Sequence, residues 1–93
     1  MKNFIIDLEY VAAIDQIEEH LNAHMDYIHQ GRDTDMFITW GPKVPRSGGL
    51  IIAQAETRAE LEAFCNTDPF VVEGVSKMII TEFAARRLIA HQQ

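Results

Sequence analysis

The sequence predicts an α+β fold in which a four-stranded antiparallel sheet carries two helices on one face. Four segments have the apolar pattern of strands, two regions between them have the apolar period of helices, and the order is β-α-β-β-α-β. This order is the ferredoxin-like arrangement. The chain has 93 residues, which fits one domain, and we place that domain over residues 1–93.

The first strand is predicted from Asn3 to Tyr10, where alternate residues are apolar. The period then changes to that of a helix, from about Ala12 to Gln30. Gly31 is expected to end this helix, because glycine favours the C′ position. The stripe expected to face the sheet consists of Ile14, Ile17, Leu21, Met25 and Ile28.

The middle of the chain predicts two strands joined by a loop. Met36 to Trp40 is rich in residues that favour strands. Gly41 to Gly49 cannot continue this strand, because two prolines and three glycines interrupt it. Leu50 to Ala55 predicts the third strand.

The second helical region is marked by two N-terminal signals. Thr57 and Glu60 match a capping box, so a helix is expected to follow Thr57 and to end near Asn66. The Asp68-Pro69 pair predicts one further turn of helix, which Gly74 ends. In this turn the aspartate is the N-cap and proline occupies the first helical position.

The last strand is predicted from Val75 to Phe83, and residues 84–93 are expected to form a short helix or an arm. Because both helices cover the same sheet face, the other face is left open. A core of this size is marginal by itself. We therefore predict a homodimer through the open sheet face, with Trp40, Phe37 and apolar residues of the first strand turned towards it.

Composition excludes several classes of protein. The 14 acidic residues outnumber the 8 lysines and arginines, and the resulting charge of −6 repels nucleic-acid backbones. No apolar stretch approaches the ~20 residues that span a membrane, and Asp7 interrupts the apolar start before a signal peptide could form. A single cysteine, Cys65, cannot form an internal disulfide, so we expect a cytoplasmic location.

His24 is the first candidate for chemistry, because it lies near the inner edge of the apolar helical stripe. A partly buried histidine needs a specific partner. That partner could be a backbone carbonyl, which would make His24 a structural core residue. It could also be Asp68, because both helices pack on one sheet face and a capping carboxylate has a second oxygen. In that arrangement Asp68 would accept the Nδ1 hydrogen and make the imidazole a better general base.

His20 and His24 are four residues apart on a helix, which is a spacing that can hold a metal ion. The intervening residues do not form a metalloprotease motif, so we expect no metal site and no cofactor. Lys43, Arg46 and the Gly48-Gly49 pair could instead offer positive charge and backbone amides to an anion.

The segment from Asp68 to Val75 resembles the Asp-Pro-aromatic-x-x-x-Gly-aliphatic signature of the YciI-like (YCII-related) family. His24, the Trp40-Gly41-Pro42 segment and Gly49 occur in the matching order, and the resemblance extends from Phe4 to Phe83. It implies a dimeric α+β barrel with a His24–Asp68 pair in a cleft. One branch of this family removes chloride from a chlorinated hydroxyquinol.

We therefore expect a lyase or isomerase that acts without a cofactor on an anionic or phenolic small molecule. His24 and Asp68 would be catalytic, and the residues expected to bind substrate are Lys43, Arg46, Gly41, Pro42 and Phe70. One alternative is a non-catalytic ligand-binding or assembly module of the same fold. Another is a monooxygenase that acts on quinols.

Overall fold

The computed structural model describes residues 1–86 and Leu88. Its sheet has the strand order β2-β3-β1-β4, and every neighbouring pair is antiparallel. The predicted α+β, ferredoxin-like fold class is confirmed. The elements are β1 (Lys2–Tyr10), α1 (Ile14–Glu19), α2 (Leu21–Asp33), β2 (Phe37–Pro42), β3 (Gly48–Ala55), α3 (Arg58–Cys65), α4 (Pro69–Val72) and β4 (Ser76–Phe83).

The first helix differs from the prediction at two points. It is two helices, because the backbone leaves the helical region at His20 (φ −107°, ψ 7°) between α1 and α2. Gly31 does not end α2, which continues to Asp33. Gly31 is instead buried against β2, and a Cβ atom at this position would overlap the ring of Phe37. The glycine is therefore needed for close packing.

The buried face of α1 and α2 matches the predicted stripe only in part. The buried residues of α2 are His24, Tyr27, Ile28 and Gly31, whereas Ile14 of the predicted stripe is 43% exposed. The predicted stripe is therefore right at Ile17 and Ile28, which are buried, and wrong at Ile14.

Strand β3 begins at Gly48, two residues before the predicted start. A Cβ atom at Gly48 would overlap the carbonyl oxygen of Leu8 on β1, so only glycine permits this approach. At the other end of the chain, residues 84–86 form neither helix nor strand. The predicted terminal helix or arm otherwise lies outside the described residues, apart from Leu88.

The core lies between the sheet and the helices. Phe4, Ile6 and Leu8 of β1 point into it, together with Ile51 and Ala53 of β3. A smaller cluster at one end of the sheet joins α1 to α4 and contains Ile17, Phe70 and Val75. This second cluster brings the two helical regions together beside the N-terminus of α4.

The opposite sheet face is open, as predicted, but different residues form it. Trp40 pairs in register with buried Ile51 and lies on the helix side, and Phe37 is buried in the core. Both were expected on the open face. The side chains that alternate onto the open face include Ile5, Leu50, Ile52 and Ile79. Among the described residues, no helix is long and apolar enough to cross a membrane.

Candidate active site

His24 and Asp68 meet in the interior. The distance from His24 Nδ1 to Asp68 Oδ1 is 2.8 Å, and the two residues are 3% and 0% exposed. A carboxylate oxygen can only accept, so Nδ1 carries the hydrogen. Nε2 is then the free ring nitrogen of the neutral imidazole.

The position of Asp68 follows from local sequence chemistry. Helix α3 ends at Cys65, the chain turns, and Asp68 caps α4 with Pro69 in the first helical position. The backbone N–H of Phe70 donates to Asp68 Oδ1 over 2.9 Å. One carboxylate oxygen therefore accepts both a helix-capping hydrogen bond and the hydrogen of His24.

Phe70 fixes the plane of the imidazole. Its ring is stacked on that of His24 with centroids 3.9 Å apart and an angle of 5° between planes. Tyr10 contacts the edge of the same phenyl ring, at a centroid distance of 6.0 Å. The imidazole is therefore held by a hydrogen bond at Nδ1 and by a stacked ring on one side.

A cavity of about 220 Å³ opens beside His24, and we call it the His24 cavity. It lies between α2, the β1–β3 part of the sheet and the loop after β2. Its lining is mainly apolar and consists of Leu8, Tyr10, Leu21, His24, Met25, Trp40, Pro42, Arg46, Gly48, Gly49 and Phe70. An apolar cavity with few polar groups is typical of a small-molecule site.

The structure brings four of the predicted site residues to this cavity, namely His24, Pro42, Arg46 and Phe70. Asp68 lies behind His24 and is fully buried. Gly41 and Lys43 do not line the cavity. Lys43 instead reaches the open sheet face, where its Nζ lies 2.7 Å from Asp7 Oδ1.

Arg46 is the cation at the cavity. Its Nη1 lies 3.3 Å from Glu18 Oε2, and the two side chains are 40% and 58% exposed. An ion pair this exposed contributes little stability. Arg46 can therefore exchange Glu18 for an anionic ligand at low energetic cost.

The sequence reasoning missed Trp40 and Tyr10 as lining residues. Trp40 was assigned to the open face, although it directly precedes Gly41-Pro42 in the segment that carries the family resemblance. Its pairing with buried Ile51 places it on the helix side. Strand alternation alone could not show this, because the register shifts between Phe37 and Thr39.

Two further buried groups lie near the dyad. Burial raises the pKa of the Tyr27 hydroxyl well above its usual range, and it raises the pKa of the Cys65 thiol to about 11. Tyr27 Oη and Asp68 Oδ2 both lack a hydrogen-bond partner among the described residues. Nowhere in residues 1–86 and Leu88 do three or more metal-ligating side chains lie together.

The family model described as YCII-related domain matches residues 1–84. This match confirms the resemblance drawn from the sequence. Among solved structures, the chain is similar to 5-chloro-2-hydroxyhydroquinone dehydrochlorinase (TftG) from Burkholderia phenoliruptrix AC1100, in complex with 2,5-dihydroxybenzoquinone. The TM-score is 0.75 at 20% identity, over 88% of this chain and 93% of that chain, and it shows a shared fold. A comparison with curated proteins finds no match.

Proposed function

Because the chain belongs to the YCII-related domain family, we propose that it is a lyase or isomerase that acts on a small phenolic or anionic ring compound. His24 is the general acid–base and Asp68 is its positioning residue. No cofactor takes part in the proposed reaction.

One observation carries the proposal. The Nδ1 of His24 is bound to a fully buried carboxylate, while the same ring lines a cavity of about 220 Å³. Asp68 holds Nδ1–H in place, so Nε2 has the free electron pair that a base requires. The negative carboxylate also stabilises the imidazolium that forms when Nε2 takes a proton.

The proposed chemistry is a proton transfer through Nε2. His24 removes a proton from a carbon or hydroxyl of the substrate, and the released electron pair either expels a leaving group or shifts along the ring. In a lyase the leaving group departs as an anion. In an isomerase the imidazolium returns the proton to a different atom. Arg46, at the cavity, balances the negative charge that develops on a phenolate or carboxylate.

The substrate class is suggested by cavity size and by the similar structure. An apolar cavity of ~150 Å³ is large enough for benzene, so about 220 Å³ suits a single substituted ring. The dehydrochlorinase of similar fold is described with a quinone bound. A chlorinated hydroxyquinol is therefore the first compound to test.

The test compares His24→Ala and Asp68→Asn with the wild type, using chloride release from 5-chloro-2-hydroxyhydroquinone. His24→Ala is expected to lower kcat/KM about 10²–10⁴-fold, because the proton acceptor is lost. Asp68→Asn is expected to lower it at least tenfold, because an amide does not stabilise the imidazolium. His20→Ala is the matched control, since His20 lies one turn earlier and does not line the cavity. If both site variants stay within tenfold of the wild type, the dyad is not catalytic.

A non-catalytic ligand-binding module is the second candidate, and one observation favours it. The Phe70 N–H bond gives Asp68 a complete structural role as the N-cap of α4. In that case His24→Ala and Asp68→Asn would lower the melting temperature, and ligand affinity would be unchanged. Calorimetry and ligand titration on the same variants distinguish the two functions.

We also propose that the active form is a homodimer through the open sheet face. Leu50 and Ile79 are 43% and 58% exposed there, on strands that flank β1. Leu50→Asp should shift the protein to a monomer in light scattering, because a charge would be buried in the interface. Ile14→Asp is the matched control, with an equal 43% exposure on the helix side. A wild type that is monomeric at micromolar concentration would contradict the dimer.

A further inference from the structure

A second cavity of about 260 Å³ lies between α2 and the edge strand β2. Its apolar lining includes Ile28, Phe37 and Ile38, and its polar residues are His29, Arg32 and Thr39. Met25 and Trp40 line this second cavity and also the His24 cavity. These two side chains therefore separate the two spaces.

We propose that the second cavity is a binding site for the side chain of the ligand whose ring occupies the His24 cavity, and that this side chain ends in a carboxylate. The inference rests on the proposed function for the ring site. The ligand class is therefore a phenol that carries a flexible alkanoate chain.

Two features of the second cavity favour an anionic, partly apolar occupant. The apolar residues suit methylene groups, and His29 and Arg32 are basic groups in a chain of net charge −6. Arg32 binds Asp33 through Nε over 2.9 Å, which leaves both terminal guanidinium nitrogens without a partner among the described residues. A carboxylate can accept two hydrogen bonds from such a pair of nitrogens.

The wall between the two cavities consists of Met25 and Trp40, and it allows one ligand to extend into both. Methionine is unbranched and adapts its shape, so Met25 can yield to a chain passing between the cavities. Trp40 is 37% exposed and is the only tryptophan of the chain. Its fluorescence therefore reports binding in either cavity.

The experiment titrates the full-length protein with three probes and follows Trp40 fluorescence. The probes are 4-ethylphenol, 5-(4-hydroxyphenyl)pentanoate and the methyl ester of that pentanoate. We expect the pentanoate to bind at least about threefold more tightly than the other two. Arg32→Gln should remove this advantage, a loss of about three- to fivefold that suits an exposed ion pair, with no change for 4-ethylphenol or the ester.

Two further variants test whether the carboxylate of the pentanoate binds in the second cavity. Ile38→Asp puts a negative charge into the second cavity alone, and it should weaken the pentanoate more than the ester. Lys2→Gln removes one positive charge from a side chain that is 53% exposed and lines neither cavity, and it should leave all three affinities unchanged.

Each pattern of affinities decides between the two proposals. If 4-ethylphenol binds and the pentanoate gains nothing from Arg32, the second cavity is not a side-chain site, while the proposed ring site stands. If the pentanoate binds through Arg32 and 4-ethylphenol does not bind, the second cavity is a separate carboxylate site and the proposed ring site is wrong. If no probe binds, both are wrong.

Discussion

The two helix N-caps in the second half of the chain have the same local chemistry and very different surroundings. At α3, Thr57 Oγ1 accepts the N–H of Glu60 over 3.1 Å at an exposed position. At α4, Asp68 Oδ1 accepts the N–H of Phe70 over 2.9 Å, but it is buried and also binds His24. The first cap begins α3, and its hydroxyl binds only Glu60 of the same helix. The second connects the N-terminus of one helix to a residue on another helix, which shows how a capping residue can also become part of the proposed site.

Replacing the buried cap should have the largest effect on stability. Asp68→Ala removes the cap of α4 and leaves Nδ1–H of His24 buried without an acceptor. We expect a loss of about 2–4 kcal/mol in the free energy of unfolding, measured by denaturant titration. Asp68→Asn keeps an acceptor oxygen and should lose clearly less. Equal losses for the two variants would show that charge, and not the hydrogen bond, holds this corner together.

Alkaline pH should destabilise the folded protein through Cys65, which lies between the two caps. Cys65, the last residue of α3, has a thiol pKa of about 11 in the folded protein because it is buried. An unfolded thiol titrates near ~8.5, so above that pH the unfolded state releases a proton that the folded state keeps. The contribution of the neutral thiol to the free energy of unfolding is therefore complete below pH ~8.5. It decreases by about 1–3 kcal/mol as the pH rises towards 11.

The measurement is the unfolding free energy of wild type and Cys65→Ala between pH 8 and pH 10.5. The variant should be less stable at pH 8, because a buried side chain is truncated, but its stability should fall less steeply. Tyr27, whose pKa is also raised by burial, adds the same trend to both proteins at the upper end of this range. Parallel curves would show that the thiol does not contribute.

Replacing the exposed cap should have the smallest effect. Thr57→Ala is expected to lower the unfolding free energy by about 1 kcal/mol, because one backbone N–H of α3 loses its partner. Ligand binding and kcat/KM should not change, since Thr57 lies outside the His24 cavity. A clear change in either would mean that α3 is coupled to the site and that the two caps are not independent.

The sequence was sufficient for both caps and for the order of the elements, because each rests on local patterns. Asp68-Pro69 and the Thr57–Glu60 pair each predict a helix start within four residues. The meeting of His24 with Asp68 was one of two open alternatives for the partner of His24: the topology allowed it and the family resemblance implied it. The caps and the element order therefore need only short-range chemistry, whereas this pair needed the resemblance.

The parts that the sequence could not predict depend on packing between distant residues. Glycine is typical of a helix end, yet Gly31 lies within α2 and packs directly against the ring of Phe37. Lys43 and Arg46 share one loop but reach opposite sides of the sheet, where Asp7 and Glu18 bind them. Neither outcome is encoded in a local pattern.

The His24–Asp68 contact joins residues that are 44 positions apart, one from each β-α-β half of the chain. Neither half alone holds the imidazole with its Nδ1 bound to a buried carboxylate, so the dyad forms only when the halves have docked. If the proposed function is correct, full activity should therefore return during refolding with the docking step and not with helix formation. A molecule with one half loosened would then lose activity before it lost its secondary structure.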